Sequence, residues 1–435
     1  MKSYLKWLGG VGIMFLLLLL SCDWLLFSPQ APLKPEGPGN LAVGETGTFY
    51  TRPAADETDS VSIRFDFGDG NLSDYIGPVG PADTVFISHS WDAPGTFHVK
   101  AQAKNDFGES KWSDPLVVTV SDSTESDSFN LTEVGHFDIP GYGRLIKLAK
   151  SGNYLYLAAR SEGLIILDVS NPQSPTTVGQ FIPSNSSKEP WVNDVKISGN
   201  YAYIAVTYTY AKTTSVLALD ISNPSSPREV GQFADTSGYK SFERLFYSGG
   251  RVYVVGQQWT MGIINFTNPV APLGESFITL PGYYAYDIFV SGSYAYVANN
   301  EYGVQIIDIS NPQNPVFVSN VNVSSNASGV FVSQNTLYVA AEASGLKIVD
   351  VSNPASPSVV GTVSFPDYTK GIYASGDYAY VGASTAGYYV VDVSSPSNPN
   401  IITGIDTPGN AWFSIVDGDY AYVADFTSLR IIKLR

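Results

Sequence analysis

The chain has 435 residues, of which 13 % are aromatic (28 are Tyr) and only 15 % are charged, with 40 Gly and 27 Pro. Few charges with many Tyr and turn formers suit an all-β protein, long enough for two or three domains. A net charge of −16 repels phosphate backbones and argues against nucleic acid as a partner, while one Cys and three His exclude a disulfide framework and nearly exclude a Cys/His metal site.

The start, "MKSYLKWLGGVGIMFLLLLLSCDW", places Lys2 and Lys6 before an apolar stretch, Leu8–Leu20, that is too short to span a bilayer comfortably. It ends in Leu19-Leu20-Ser21-Cys22, which resembles a bacterial lipobox, where a small residue precedes a Cys that is lipidated and becomes the mature N-terminus. The resemblance implies a signal peptide over 1–21 and an acylated Cys22. The protein is then exported and tethered to a bacterial membrane, at the outer membrane or cell surface in preference to the periplasmic side. Two or more acyl chains anchor stably, at roughly 0.8 kcal/mol per buried CH₂. The alternative is an ordinary secretory signal with an incidental Cys. "SPQAPLKPEGPGN" (28–40) is Pro-rich and aperiodic, so 22–40 reads as a tether.

Residues 41–121 read as a small β domain. "SVSIRFDFGDG" (60–70) is a strand entering a Gly-rich turn, "VFISHSWDAPGTFHVKAQAKNDFG" (85–108) holds two strands around a Pro-Gly turn, and "PLVVTV" (115–120) closes the domain. "FDFGDG", "HSWDAPGTFHVKAQAKN" and the terminal "VVTV" together resemble the PKD domain, which implies an immunoglobulin-like sandwich. "DFGDGNLSD" (66–74) has a superficial look of calcium binding, but Gly68 stands where an EF-hand loop wants a ligand. An acidic, Ser-rich linker is expected over 122–130.

From 131 to 435 the sequence repeats. "LDVSNPQSP" (167–175) returns as "LDISNPSSP", "INFTNPVAP", "IDISNPQNP", "VDVSNPASP" and "VDVSSPSNP". The Asp position recurs at Asp168, Asp220, Asn265, Asp308, Asp350, Asp392 and Lys433, in steps of 41 to 52 residues. Each unit reads as four strands with a tight "SGNY"-type turn between the first two, the content of one propeller blade. The third strands are nearly continuous in apolar residues, as strands buried on both faces are. "LIILD", "VLALD", "VQIID", "LKIVD" and "YYVVD" resemble the LVIVD repeat, which implies a β-propeller and no established activity. Seven copies of the second strand are present, but the seventh unit ends one strand short at "LRIIKLR". "TEVGHF" (132–137) matches "TTVGQF" (176–181) and supplies that strand. The expected fold is therefore all-β, a PKD-like sandwich followed by a seven-bladed propeller closed by its own N-terminal strand.

The Asn-Pro segments read as punctuation, because Pro fixes φ and Asn and Ser bond their own backbone in turns. These turns and the "SGNY" turns share one face. The loops after "YAYVA" and the connections between blades share the other, and they vary in length and chemistry as binding loops do. "IPSNSSKEPW" (182–191) and "TYTYAKTT" (207–214) are the longest. Aromatic ligand-binding candidates on this face are Trp191, Tyr208, Tyr210, Tyr239, Trp259, Tyr283, Tyr302, Tyr368 and Trp412, with Tyr142 beside them. The first strands should line a central channel with Lys147, Asp194, Glu243, Arg244, Asp287 and Lys370, where mixed charges either bind a polar ligand or pair with each other.

Beyond His136 this region has no His and no Cys, which excludes Ser-His-Asp and Cys-His catalysis within it. "SGYK" (237–240) has Ser-x-x-Lys spacing without companion motifs. Glu189, Asp194, Glu243, Asp287 and Glu301 share the variable face, so paired carboxylates for glycoside hydrolysis or polysaccharide lysis remain an alternative. The favoured reading is a lipid-anchored envelope protein that binds a protein or glycan ligand, without catalysis, metal or cofactor. A periplasmic assembly scaffold is the third reading.

Overall fold

The computed structural model describes residues 28–54, 60–80, 83–121, 128–141, 143–183, 189–208, 213–235, 241–258 and 260–435. Cys22, Tyr142, Tyr210, Tyr239, Trp259 and the "SGYK" segment lie outside them. The described residues are strands and turns with no helix, and they divide into two compact units, Met1–Asp127 and Ser128–Arg435.

The first unit is a sandwich. One sheet runs in the order Asn40–Ala42, Leu116–Ser121, Gly95–Asn105, Val61–Asp66, Ile76–Val79, with Gly108–Glu109 as an added edge. Gly47–Thr51 and Val85–His89 pair separately. Alternation puts Val61, Ile63 and Phe65 inside with Phe49, Phe67 and Trp91, and the Phe49 and Trp91 rings meet edge to face at 5.7 Å. The "FDFGDG" carboxylates serve their own turn: Asp66 accepts from the Gly68 N–H at 2.9 Å, and Asp69 from the Asn71 N–H at 2.9 Å and from His89 at 2.8 Å. Residues 28–40, expected as a free tether, instead lie along this sandwich. Pro29, Pro32 and Pro35 are buried, and Glu36 exchanges backbone hydrogen bonds with Tyr50 at 2.8 and 2.9 Å. Prolines without N–H groups pack well along an edge, which is why composition alone resembled a spacer.

Among the described residues, the second unit holds seven four-stranded antiparallel sheets. Sheet 1 is Lys147–Ser151, Tyr154–Ala158, Leu164–Asp168 and Thr176–Phe181, and sheets 2 to 6 follow the same order. Sheet 7 combines Phe413–Asp417, Tyr420–Ala424 and Ser428–Lys433 with Thr132–Asp138, whose Phe137 lies opposite Leu429. The second and third strands are buried along almost their whole length, while the fourth alternates toward solvent. Each pair of consecutive sheets shares an apolar cluster. The pair formed by sheet 7 and sheet 1 does so through Tyr422, Leu429 and Ile431 against Leu148, Leu155 and Leu167. Phe129, expected in the linker, belongs to this unit: it is buried, its ring lies 4.8 Å from that of Tyr378, and the Asn130 N–H bonds the Leu434 carbonyl at 2.9 Å.

The Asn-Pro segments form tandem side-chain turns. Asp168 Oδ1 accepts from the Ser170 N–H at 2.8 Å and Asn171 Oδ1 from the Gln173 N–H at 3.2 Å. The same pair of bonds recurs at Asp308 and Asn311 and at Asp350 and Asn353. The Val169 N–H donates to Asn153 O at 2.8 Å, so the segment and the "SGNY" turn sit at one end of the sheet. The segment also holds the preceding sheet. A Cβ on Gly179 would stand 2.1 Å from Pro224 O, and one on Gly135 2.1 Å from Pro172 O. Where the position is Ser, it bonds instead: Ser276 Oγ donates to Pro312 O at 2.7 Å and Ser319 Oγ to Pro354 O at 2.6 Å. The repeated motif is therefore a turn and a seat for the neighbouring outer strand.

Candidate binding face

The first strands of the seven sheets neighbour one another in cyclic order, that of sheet 7 against that of sheet 1. Their inward side chains meet at the centre. Lys147 of sheet 1 reaches Asp287 of sheet 4, Nζ to Oδ1 at 2.9 Å, with both side chains about nine-tenths buried. Lys147 Nζ also lies 3.9 Å from the centroid of the Phe413 ring. Burial lowers the Lys147 pKa, and Asp287 and Asp194 partly offset it. The second carboxylate oxygen of Asp287 accepts from the Val330 N–H at 3.3 Å, and Asp194, with no exposed surface, accepts from the Leu245 N–H at 2.9 Å and Lys196 Nζ at 3.0 Å. Each of these carboxylates thus bonds the first strand of the following sheet. At this level the charges on the first strands pair among themselves, and Asp194 and Asp287 are engaged by the fold.

Nearer the mouth, Lys370 pairs with Glu342 at 2.6 Å, and Asn326 Nδ2 donates to the same carboxylate at 3.0 Å. Glu243 accepts from Gln257 Nε2 at 2.6 Å and Ser241 Oγ at 3.3 Å. Arg244 is buried and donates from Nη1 to the Glu243 carbonyl at 2.7 Å.

A second set of mouth residues escaped the sequence reading. Arg160, Gln258, Asn300, Glu342, Ser384 and Phe426 all have positive φ, between 35° and 65°. They stand just after the second strand, and most bridge the chain entering the next sheet, as Arg160 does to Val192, Asn300 to Ala327, Ser384 to Ala411 and Phe426 to Leu145. Left-handed backbone costs an L-residue roughly 1–2 kcal/mol, which the bridges to the next sheet help to offset. The signal was available in "AAR", "VANN", "AAEA", "GAS" and "ADF", at one offset from the second strand in five of the sheets.

Of the aromatic candidates, Tyr283, Tyr302 and Tyr368 are 43 %, 44 % and 50 % exposed. Tyr283 and Tyr302 line a shallow cleft of about 480 Å³ with Leu280, Pro281, Gly282 and Glu301. Trp191 is half-buried beneath the Arg160 guanidinium, 4.5 Å from its ring centroid, and Trp412 packs 5.0 Å from Phe426. Tyr208 is a correction. In sheet 2 the strands Tyr201–Tyr208 and Thr213–Asp220 run eight residues instead of the usual five, so Tyr208 lies within a strand, buried in the cluster between sheets 1 and 2. The extra ladder turns what reads as loop into core. Among the described residues no group of three or more His, Cys, Asp or Glu is placed to hold a metal.

The LVIVD repeat family matches residues 143–182, 191–235, 282–323, 324–364, 366–407 and 408–432, and the PKD domain matches 30–118. Among the curated proteins no sequence matches this chain. Solved structures similar to it include a chain of the "Mitotic Checkpoint Complex", 14 % identical with a TM-score of 0.57 over 71 % of this chain and 96 % of that one. The Neurospora crassa Pan2 WD40 domain is 12 % identical with a TM-score of 0.53, covering 71 % and 96 %. The computationally designed Ika8 protein is 10 % identical with a TM-score of 0.51, covering 69 % and 99 %. At such identities the likeness shows the fold alone, a repeat β-propeller.

Proposed function

Because the chain belongs to the LVIVD repeat family, we propose that its seven sheets act as the blades of a closed propeller, and that the protein is lipid-anchored at Cys22 in a bacterial envelope and binds a glycan or protein through the variable face. The observation that carries this is the cleft between Tyr283 and Tyr302, two exposed rings beside Glu301 on the end opposite the Asn-Pro turns. Exposed tyrosines in a concave setting offer flat apolar faces with polar tips, the chemistry of sugar stacking and of protein hot spots. The turn end is monotonous by comparison, since its polar groups are spent on its own turns.

The test is binding of full-length protein to glycan arrays and to envelope extracts, with the membrane fraction as the source. Tyr283→Ala with Tyr302→Ala should weaken binding at least tenfold, about the worth of one aromatic anchor at a binding surface, and Cys22→Ser should release the protein from membranes. Binding unaltered by the Tyr pair sinks the binding-face reading, and undiminished membrane retention sinks the anchor.

A further inference from the structure

We propose that the mouth of the ring between sheets 1 and 3 is a carboxylate-binding site, in which Arg160 and Arg244 fork onto the acid group of a uronic-acid sugar. This deepens the binding-face reading and rests on it. Arg160 sits at one of the left-handed positions, φ 48°, and exchanges backbone hydrogen bonds with Val192 at 3.0 and 3.1 Å. Val192 opens the stretch that carries Asp194, and Asp194 bonds the N–H of Leu245, the residue after Arg244. The two arginines thus flank one segment of sheet 2, from the sheets on either side of it. The Nε atoms of both are buried and have no hydrogen-bond partner. Arg244 is 9 % exposed, so water does not readily satisfy it. A buried donor on a charged group without an acceptor is costly, and an arriving carboxylate removes that cost with charge-assisted bonds.

The surroundings are cationic in a chain of net charge −16. Besides burial, the charges of Arg244 and Arg144 weigh against the protonated form of Arg160, and Glu243 alone opposes them. The Glu243 carboxylate is already accepting from Gln257 and Ser241. The family match also breaks here, passing over 183–190 and 236–281, which include Glu243, Arg244 and Gln257. Arg244 thus lies in one of these gaps, while Arg160 lies within the matched stretch 143–182.

A monocarboxylate suits the site better than a phosphate, because the acidic molecule repels a dianion twice as strongly at long range. A sugar is favoured over a peptide because Tyr283 and Tyr302 offer stacking surface on the same face, and a pyranose ring can lie on it.

Calorimetric titration of the full chain with sodium glucuronate, glucose and N-acetylglutamate amide at fixed ionic strength tests this. Glucuronate should bind about tenfold or more tighter than glucose, and Arg160→Gln and Arg244→Gln should each weaken it about tenfold, the scale of a lost charge-assisted hydrogen bond. Arg244 is buried, so its variant is read with its melting curve. Arg160→Lys, which keeps the charge and loses the fork, should also weaken glucuronate on a half-buried side chain. Equal binding of glucose and glucuronate, or binding unchanged in both Arg160 variants, overturns the site. Tighter binding of N-acetylglutamate amide than of glucuronate overturns the sugar assignment. A glucuronate blank alongside Tyr-dependent binding of extracts removes the carboxylate site alone; glucuronate binding without that Tyr dependence removes the binding-face reading alone.

Discussion

At Gly231 a Cβ would stand 1.9 Å from the Pro269 carbonyl oxygen, with no flexible side chain to yield. Gly231→Ala should therefore destabilise the repeat unit by about 1–3 kcal/mol, the usual range for overpacking, read as a lower urea midpoint at unchanged slope. Gly152→Ala is the contrast, since nothing lies within 4 Å there and only its φ of +54° resists. The sequence displayed both glycines inside repeats, yet it did not distinguish a glycine needed for its backbone angle from one needed for another sheet's closeness. That distinction depends on a contact between units, and a repeat alignment reports only what recurs within one. Tyr208 failed for a related reason, because strand length in sheet 2 is decided by how far two partners keep pairing. The left-handed mouth residues were hidden differently: they differ in type at each copy, so they look like variable loop, while their backbone is what repeats.

The turn elements carry a pH dependence with a defined sign. Hydrogen bonds from the following serines hold the carboxyls of Asp168, Asp220, Asp308 and Asp350 below the ordinary value of 3.8. A carboxyl lowered on folding contributes stability that is present above its unfolded pKa and lost as pH falls through the folded one. The four turns act in parallel and are exposed, so they should add a modest fall in the melting temperature of the repeat unit as pH drops below 3.8, and none between pH 7 and pH 5. A variant with all four changed to Asn should keep the turns and show a shallower acid limb; an identical acid limb in both proteins would remove the turn carboxyls as a contributor. These segments were legible as punctuation from Pro spacing and Asx chemistry. Their second role was not, because the partner of each Pro carbonyl lies in another repeat.

For the whole chain, each of the two units has its own apolar core. A fragment spanning 128–435 should fold alone, and full-length protein should show two calorimetric transitions, one matching that fragment. A single transition shared by both, or an unfolded fragment, would refute this autonomy. Periodicity in the sequence resolved the repeat unit well, since apolar runs and turn residues recur every 41 to 52 positions. The candidate face was legible only as a location. Which of its rings are exposed, and which cations lack acceptors, follows from packing among sheets far apart in the chain.

The strand Thr132–Asp138 is paired with the last strand of the molecule, and Glu133 meets Arg430 across 297 residues. During synthesis that strand emerges well before its partner, Ser428–Lys433. At about 5–20 residues per second the interval is on the order of 15–60 s. For that time the nascent chain carries an unpaired edge with a half-apolar pattern, the kind of edge that invites pairing with other chains. Export before folding, or a holding chaperone until the last strand arrives, would shorten the exposure. Pairing between Thr132–Asp138 and Ser428–Lys433 is a long-range contact that costs more loop entropy than the local hairpins, so it is expected to form after them.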